Sequence, residues 1–117
     1  MSKRTEFVYF GVMLDAARRA ASKGAGVTKE QYDADDTLQL ALTYLVQNVG
    51  EAATKVPPDA RALHPEIDWT AIAGMRHRLV HDYLNVDVEK VWHALHNDIP
   101  ELIRVLAAFT PPEPPSG

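Results

Sequence analysis

The chain has 117 residues, with 12 Lys and Arg against 16 Asp and Glu for a formal charge of −4, and 46% of its residues are hydrophobic. That length suits one domain with a real core. The absence of cysteine excludes disulfide scaffolds, thiol nucleophiles, Cys-ligated zinc and iron–sulfur clusters.

Mild acidity argues against a general nucleic-acid coat protein but leaves room for an enzyme with a local basic cleft. No apolar run approaches the roughly 20 residues that cross a bilayer. The opening Met-Ser-Lys-Arg-Thr-Glu lacks the apolar segment and cleavage site of a secretory signal. The expectation is a soluble cytoplasmic domain that does not engage a membrane.

Four stretches carry helical periodicity. From about Thr5 to Ser22, Phe7, Phe10, Leu14 and Ala17 recur at three- and four-residue intervals, and Gly24-Ala25-Gly26 ends the segment. In the second, Leu38, Leu42, Leu45 and Val49 form one stripe, with Asp35 and Asp36 at its electropositive start and Pro57-Pro58 closing it. Residues 55–67, with three prolines, read as an ordered loop holding at most one short turn. Asp68 is placed to cap a third helix running to about Leu84, and Asp87 a fourth whose stripe continues from Val88 to Leu106. Pro100 predicts a kink or short break there without loss of phase. Thr110 to Gly117, rich in Pro, reads as a disordered tail. The fold expected is all-α, an antiparallel up-and-down bundle of four to five helices over residues 1–109.

The third stretch, DWTAIAGMRHRLVHDYL, contains an anomaly. At about 100° per residue, Trp69, Ile72, Leu79, Val80 and Tyr83 share one side, and Arg76 falls in the middle of it. A guanidinium cannot be buried there alone, because an unpaired charge costs several kcal/mol. Three arrangements answer this: a carboxylate from another helix, a stripe facing a cleft or subunit interface, or a snorkelling side chain with its head in water. The second of these argues against a lone monomer.

His81 follows Arg76 by five residues, about 140° around an ideal helix. The two converge if the helix frays near its end, or if two chains each supply part of a site. The chemistry on offer is coherent: an imidazole that moves a proton near neutral pH, a guanidinium that holds a phosphate bidentately, and a phenol at Tyr83. His77 and Arg78 add polar and basic character, so the basic cluster of an acidic chain surrounds these residues.

Gly74-Met75-Arg76-His77-Arg78-Leu79-Val80-His81-Asp82-Tyr83 resembles the R-x4-H-x-Y signature of the HepT-like branch of the HEPN superfamily. Asn48-Val49-Gly50-Glu51-Ala52-Ala53 is similar to the family's Gly-Glu-Ala segment. Asp68-Trp69 and the run from Asp87 through Val91-Trp92 to Asp98-Ile99-Pro100-Glu101-Leu102 follow its pattern too, so the likeness covers roughly residues 5–108. The residue after the signature arginine, often Asn in this branch, is His77 here.

The resemblance implies a metal-independent endoribonuclease toxin that needs no cofactor, partnered by a minimal nucleotidyltransferase antitoxin. It also implies a homodimer whose two chains line one cleft. Arg76 would orient the scissile phosphate of an RNA substrate, and His81 would act as general base or acid while the RNA's own 2′-hydroxyl attacks. Tyr83 matches the tyrosine that family antitoxins adenylylate.

Other readings of the same residues exist. His77 and His81 are spaced i, i+4, but a metal would need a third ligand such as Asp82 or Glu51, and no H-E-x-x-H pattern is present. His93 and His96 read as a solvated face. Glu51, off the leucine stripe, is either an ordinary exposed carboxylate or a contact to Arg76 or Arg78 of a neighbour. Trp69 and Trp92 read as packing residues. From a different functional class, the chain would be a non-catalytic scaffold subunit of a nucleotidyltransferase complex.

Overall fold

The computed structural model describes residues 3–82 and 85–109, with the side chains of residues 3–7, 80–82 and 109 left aside. Tyr83, the imidazole of His81 and the tail at 110–117 therefore lie outside what is described. The helices are α1 (Lys3–Gly24), α2 (Lys29–Asp33), α3 (Asp36–Thr54), α4 (Pro58–Ala62), α5 (Trp69–Ala73), α6 (Met75–Leu79), α7 (Val88–His96) and α8 (Asp98–Phe109). A short antiparallel pair, β1 (Val80–Asp82) and β2 (Asn85–Val86), joins Val80 to Val86 and Asp82 to Asn85. Among the described residues no helix is long and apolar enough to cross a membrane.

Local signals start the helices where the sequence places them. The carboxylates of Asp35, Asp68 and Asp87 accept from the backbone N–H groups of Leu38, Ala71 and Lys90, and so satisfy donors that a helix start leaves free. Thr28 and Gln31 form a reciprocal capping box on α2, a short helix that the apolar periodicity does not reveal. Residues 55–67 hold one turn of helix, α4, with Pro58 in its first turn, where a missing N–H costs nothing.

α1 and α3 run antiparallel. Phe10, in the first half of α1, lies 6.0 Å from the Trp69 ring. The Trp69 indole donates to the carbonyls of Arg61 and His64. Arg61 in turn donates to Val56 and Ala53 at the end of α3. Gly24, at the other end of α1, meets Leu95 of α7. One core fills the space between helices: Phe10, Met13, Leu14 and Ala17 from α1, Leu42, Leu45, Val46 and Val49 from α3, and Val91, Leu95, Ile99, Leu102 and Leu106 from α7 and α8. The result is the all-α up-and-down bundle expected.

Two expected helices are each divided. The fourth stretch breaks at Asn97, and Pro100 falls in the first turn of α8, where it displaces no helical bond. The third stretch is not one helix to Leu84. It stops at Gly74, restarts at Met75, ends at Leu79 and continues as β1. The break falls on Gly74, the C-cap of α5, and the junction packs closely on α3. A Cβ on Gly50 of α3 would sit 2.9 Å from the carbonyl oxygen of Ile72 and 3.8 Å from the backbone nitrogen of Arg76. Only a glycine lets the α5–α6 junction come this close to α3.

Candidate functional site

The division at Gly74 decides where Arg76 goes. The inward positions are taken by Trp69, Ile72, Met75 and Leu79, all buried, with Met75 fully so. Arg76 is consequently not in the middle of the apolar stripe, as the sequence suggests. It lies on the exposed flank of α6, with 65% of its side chain open to solvent. No buried charge has to be compensated.

Its neighbour is nonetheless a carboxylate from another helix. Arg76 Nη1 stands 3.6 Å from Glu51 Oε2 of the same chain. Gly50 and Glu51 thus cooperate: the glycine admits the α6 backbone and the adjacent glutamate meets the arginine that arrives with it. Sequence reasoning names Gly50 within the Gly-Glu-Ala segment but gives it no role; the available signal is a glycine within an otherwise strong helix-forming run.

Arg78 turns the other way. Its Nη2 donates to the carbonyl of Ala71 at 2.9 Å, satisfying an acceptor at the end of α5 and bracing the break. Arg78 also borders a groove of about 520 Å³ shared with Asp87, Lys90, His93 and Asp98. The consecutive residues Arg76, His77 and Arg78 are all exposed, so α6 fans its polar side chains between the α3 flank and the α7 groove.

His81 leaves the helix altogether. The helical angle of about 140° from Arg76 does not apply, because the chain is extended from Val80 to Asp82. The backbone at this point is anchored: Asp87 N donates to the Leu79 carbonyl at 2.8 Å, and the β1–β2 pairing holds the segment beyond it. Tyr83 follows in sequence, outside the described residues.

The remaining candidates sort simply. Trp69 is buried, and Trp92 is half-buried between Tyr32, at 4.8 Å, and His96, at 4.0 Å between ring centroids. His93 and His96 are exposed on α7. Among the described residues no three His, Asp or Glu side chains come together to hold a metal ion. An exposed guanidinium on the turn before β1 suits recognition of an anionic group.

Comparison with known proteins follows the same line. A model of the ribonuclease HepT-like family matches residues 13–109. A protein of Thermococcus cleftensis named as a probable ribonuclease HepT is 40% identical over 73 residues, covering 62% of this chain and 66% of its own length. A provisionally named RNase of Caldanaerobacter subterraneus is 34% identical over 77 residues, covering 66% of this chain and 69% of its own. A third, likewise provisionally named an RNase, from Methanocaldococcus jannaschii, is 22% identical over 102 residues, 87% of this chain and 94% of its own. The chain therefore spans about two thirds of the length of the first two relatives. No solved structure gives a significant match. With the family match covering nearly the whole described bundle, the chain belongs to the HepT-like ribonuclease family of the HEPN superfamily.

Proposed function

We propose that the protein is a metal-independent endoribonuclease, acting in the cytoplasm as the toxin of a toxin–antitoxin pair, and that it works as a homodimer. The observation that carries this reading is the exposed Arg76 held beside Glu51 on the turn that leads into His81. The family match and the RNase names of the relatives support the substrate class.

In this reading Arg76 binds a non-bridging oxygen pair of the scissile phosphate and stabilises the charge that grows on it. The ribose 2′-oxygen attacks phosphorus and the bond to the 5′-oxygen breaks. A proton leaves the 2′-hydroxyl and another reaches the departing 5′-oxygen, with His81 carrying out one of these transfers as general base or acid. The products are a 2′,3′-cyclic phosphate and a 5′-hydroxyl. His77, Arg78 and Glu51 support the site or contact the RNA. No cofactor takes part.

In this reading each of two copies lends its α6–β1 turn to one shared cleft. Silencing comes from a nucleotidyltransferase partner that adenylylates Tyr83, which adds bulk and negative charge where the RNA phosphate would sit. The test is incubation of purified protein with bulk cellular RNA in excess EDTA, followed by analysis of product ends. Cyclic phosphates support the reading. No cleavage by a well-folded dimer whose Tyr83 bears no adenylate would replace it with the scaffold role.

A further inference from the structure

Cleavage by the 2′-hydroxyl route moves two protons, one away from the attacking oxygen and one onto the departing 5′-oxygen, and His81 accounts for one of them. The two oxygens stand on opposite sides of phosphorus, so a single imidazole does not lie against both at once. The chain has five histidines. His64 packs against the Phe10 ring at 5.2 Å, with 19% of its side chain exposed. On α7 the His96 ring lies against Trp92 and bonds the Trp92 carbonyl at 3.0 Å, while His93 Nδ1 is 3.2 Å from the Asn97 amide. His77 differs from these three. It is exposed, and among the described residues its ring has no hydrogen-bond partner. Met75 and Leu79 bury the inner side of α6, and position 77 falls about 180° from them, on the outer crest of the helix.

We infer that His77 is the second proton carrier of the cleavage site. The inference rests on the ribonuclease reading and completes its proton transfers. Arg76 and His77 are consecutive, and neighbours on a helix diverge by about 100°, so they do not grip the same atom. The guanidinium takes the non-bridging oxygens, and the imidazole is left for the attacking or the leaving oxygen. The backbone is helical to Leu79 and extended from Val80 to Asp82. Four residues of chain place the α-carbons of His77 and His81 at most about 14 Å apart, a span that side chains from the two ends can close around one phosphate. One imidazole, neutral, takes the 2′-proton as the new O–P bond forms. The other, protonated, gives its proton to the 5′-oxygen as that P–O bond breaks, and exchange with water restores both. The charged groups brought toward α6 by its neighbours are Glu51 of α3 and, across the groove at Arg78, Asp87, Glu89, Lys90, His93 and Asp98. His93 is the imidazole among them, so the test includes it.

The test is single-turnover cleavage of an RNA oligonucleotide that carries a site mapped on bulk cellular RNA. Rates are measured in excess EDTA from about pH 5 to 9 for the full chain, His77→Asn and His93→Asn, with circular dichroism as the check on folding. Wild type should give a bell-shaped profile. His77→Asn should lose one limb of it and at least about a hundredfold in rate at the optimum, whereas His93→Asn should keep both limbs. A second substrate has sulfur in place of the bridging 5′-oxygen, a leaving atom that needs no proton. On it, one of His77→Asn and His81→Ala should regain most of its rate and the other should not. A full bell and full rate in His77→Asn would overturn the inference and give the second transfer to His81 of the other copy, leaving the ribonuclease reading in place. Loss of a limb in His93→Asn alone would move the role to α7. Absence of cleavage by wild type whose Tyr83 bears no adenylate would overturn the ribonuclease reading, and this inference with it.

Discussion

Arg76 reaches Glu51 at 3.6 Å across the α6–α3 contact, and both side chains stay more than half exposed. A pair this wet contributes about 0–1 kcal/mol to stability, so its importance lies in where it holds the guanidinium. Glu51→Gln should leave the melting temperature within a degree or two and lower kcat for RNA cleavage roughly tenfold through loss of orientation. Thermal denaturation and single-turnover cleavage measure the two effects separately. A loss of stability with unchanged turnover would reverse this assignment.

Gly50 should be far less tolerant than its helical position suggests. A methyl there would press on the Ile72 carbonyl at 2.9 Å, which is backbone and cannot rotate away. Gly50→Ala is expected to cost about 1–3 kcal/mol and to displace α6, with loss of cleavage. Gly11, also helical, has open space around its Cβ position. Gly11→Ala should be neutral or stabilising by up to about 1 kcal/mol, as for an ordinary helix glycine. Urea denaturation of the two variants provides the comparison.

Tyr32 predicts an alkaline signature. Its hydroxyl donates to the Val88 carbonyl at 2.7 Å, tying α2 to the start of α7. Burial, with the nearby charge of Glu89 adding to it, pushes its pKa up from 10.0 to about 12. The folded state thus favours the neutral phenol, and this contribution is complete below pH 10 and is lost as pH rises toward 12. Tyr32→Phe should lower stability at neutral pH by about 1 kcal/mol and abolish that part of the alkaline decline. Denaturation midpoints measured between neutral pH and pH 12 would show whether the slope disappears.

Tyr83→Phe separates silencing from catalysis. The phenol's oxygen is the proposed adenylate acceptor and takes no part in the proton transfers, so the variant should keep most of its cleavage and escape modification by a nucleotidyltransferase partner. Intact-protein mass after incubation with the partner and ATP is the readout. Continued addition of adenylate would move the acceptor elsewhere.

Much of this was legible because its causes are local. Asp35, Asp68 and Asp87 each announce a helix start through a side chain that bonds three residues ahead. The leucine stripe of α3 follows from 3.6-residue periodicity alone. Arg76 was harder to place. Counting Val80 and Tyr83 as helical centres the apolar stripe on it, whereas the helix ends at Leu79 and the inward centre moves back to Ile72 and Met75. The end at Leu79 is met by a distant residue, since its carbonyl accepts from Asp87 N across the β1–β2 turn. Glu51 was readable as off-stripe, but a wheel does not say which helix it will meet. The Thr28–Gln31 box shows the reverse case, a local cap that starts α2 where apolar periodicity marks no helix.

The central claim is that His81 moves a proton during RNA cleavage, and one comparison tests it most directly. Purified wild type and His81→Ala, both checked for fold by circular dichroism, are incubated with the same RNA in excess EDTA, and rates and product ends are measured. The account predicts cleavage by the wild type to 2′,3′-cyclic phosphate ends and a fall of at least about a hundredfold in the variant. Equal cleavage by the two proteins would contradict it.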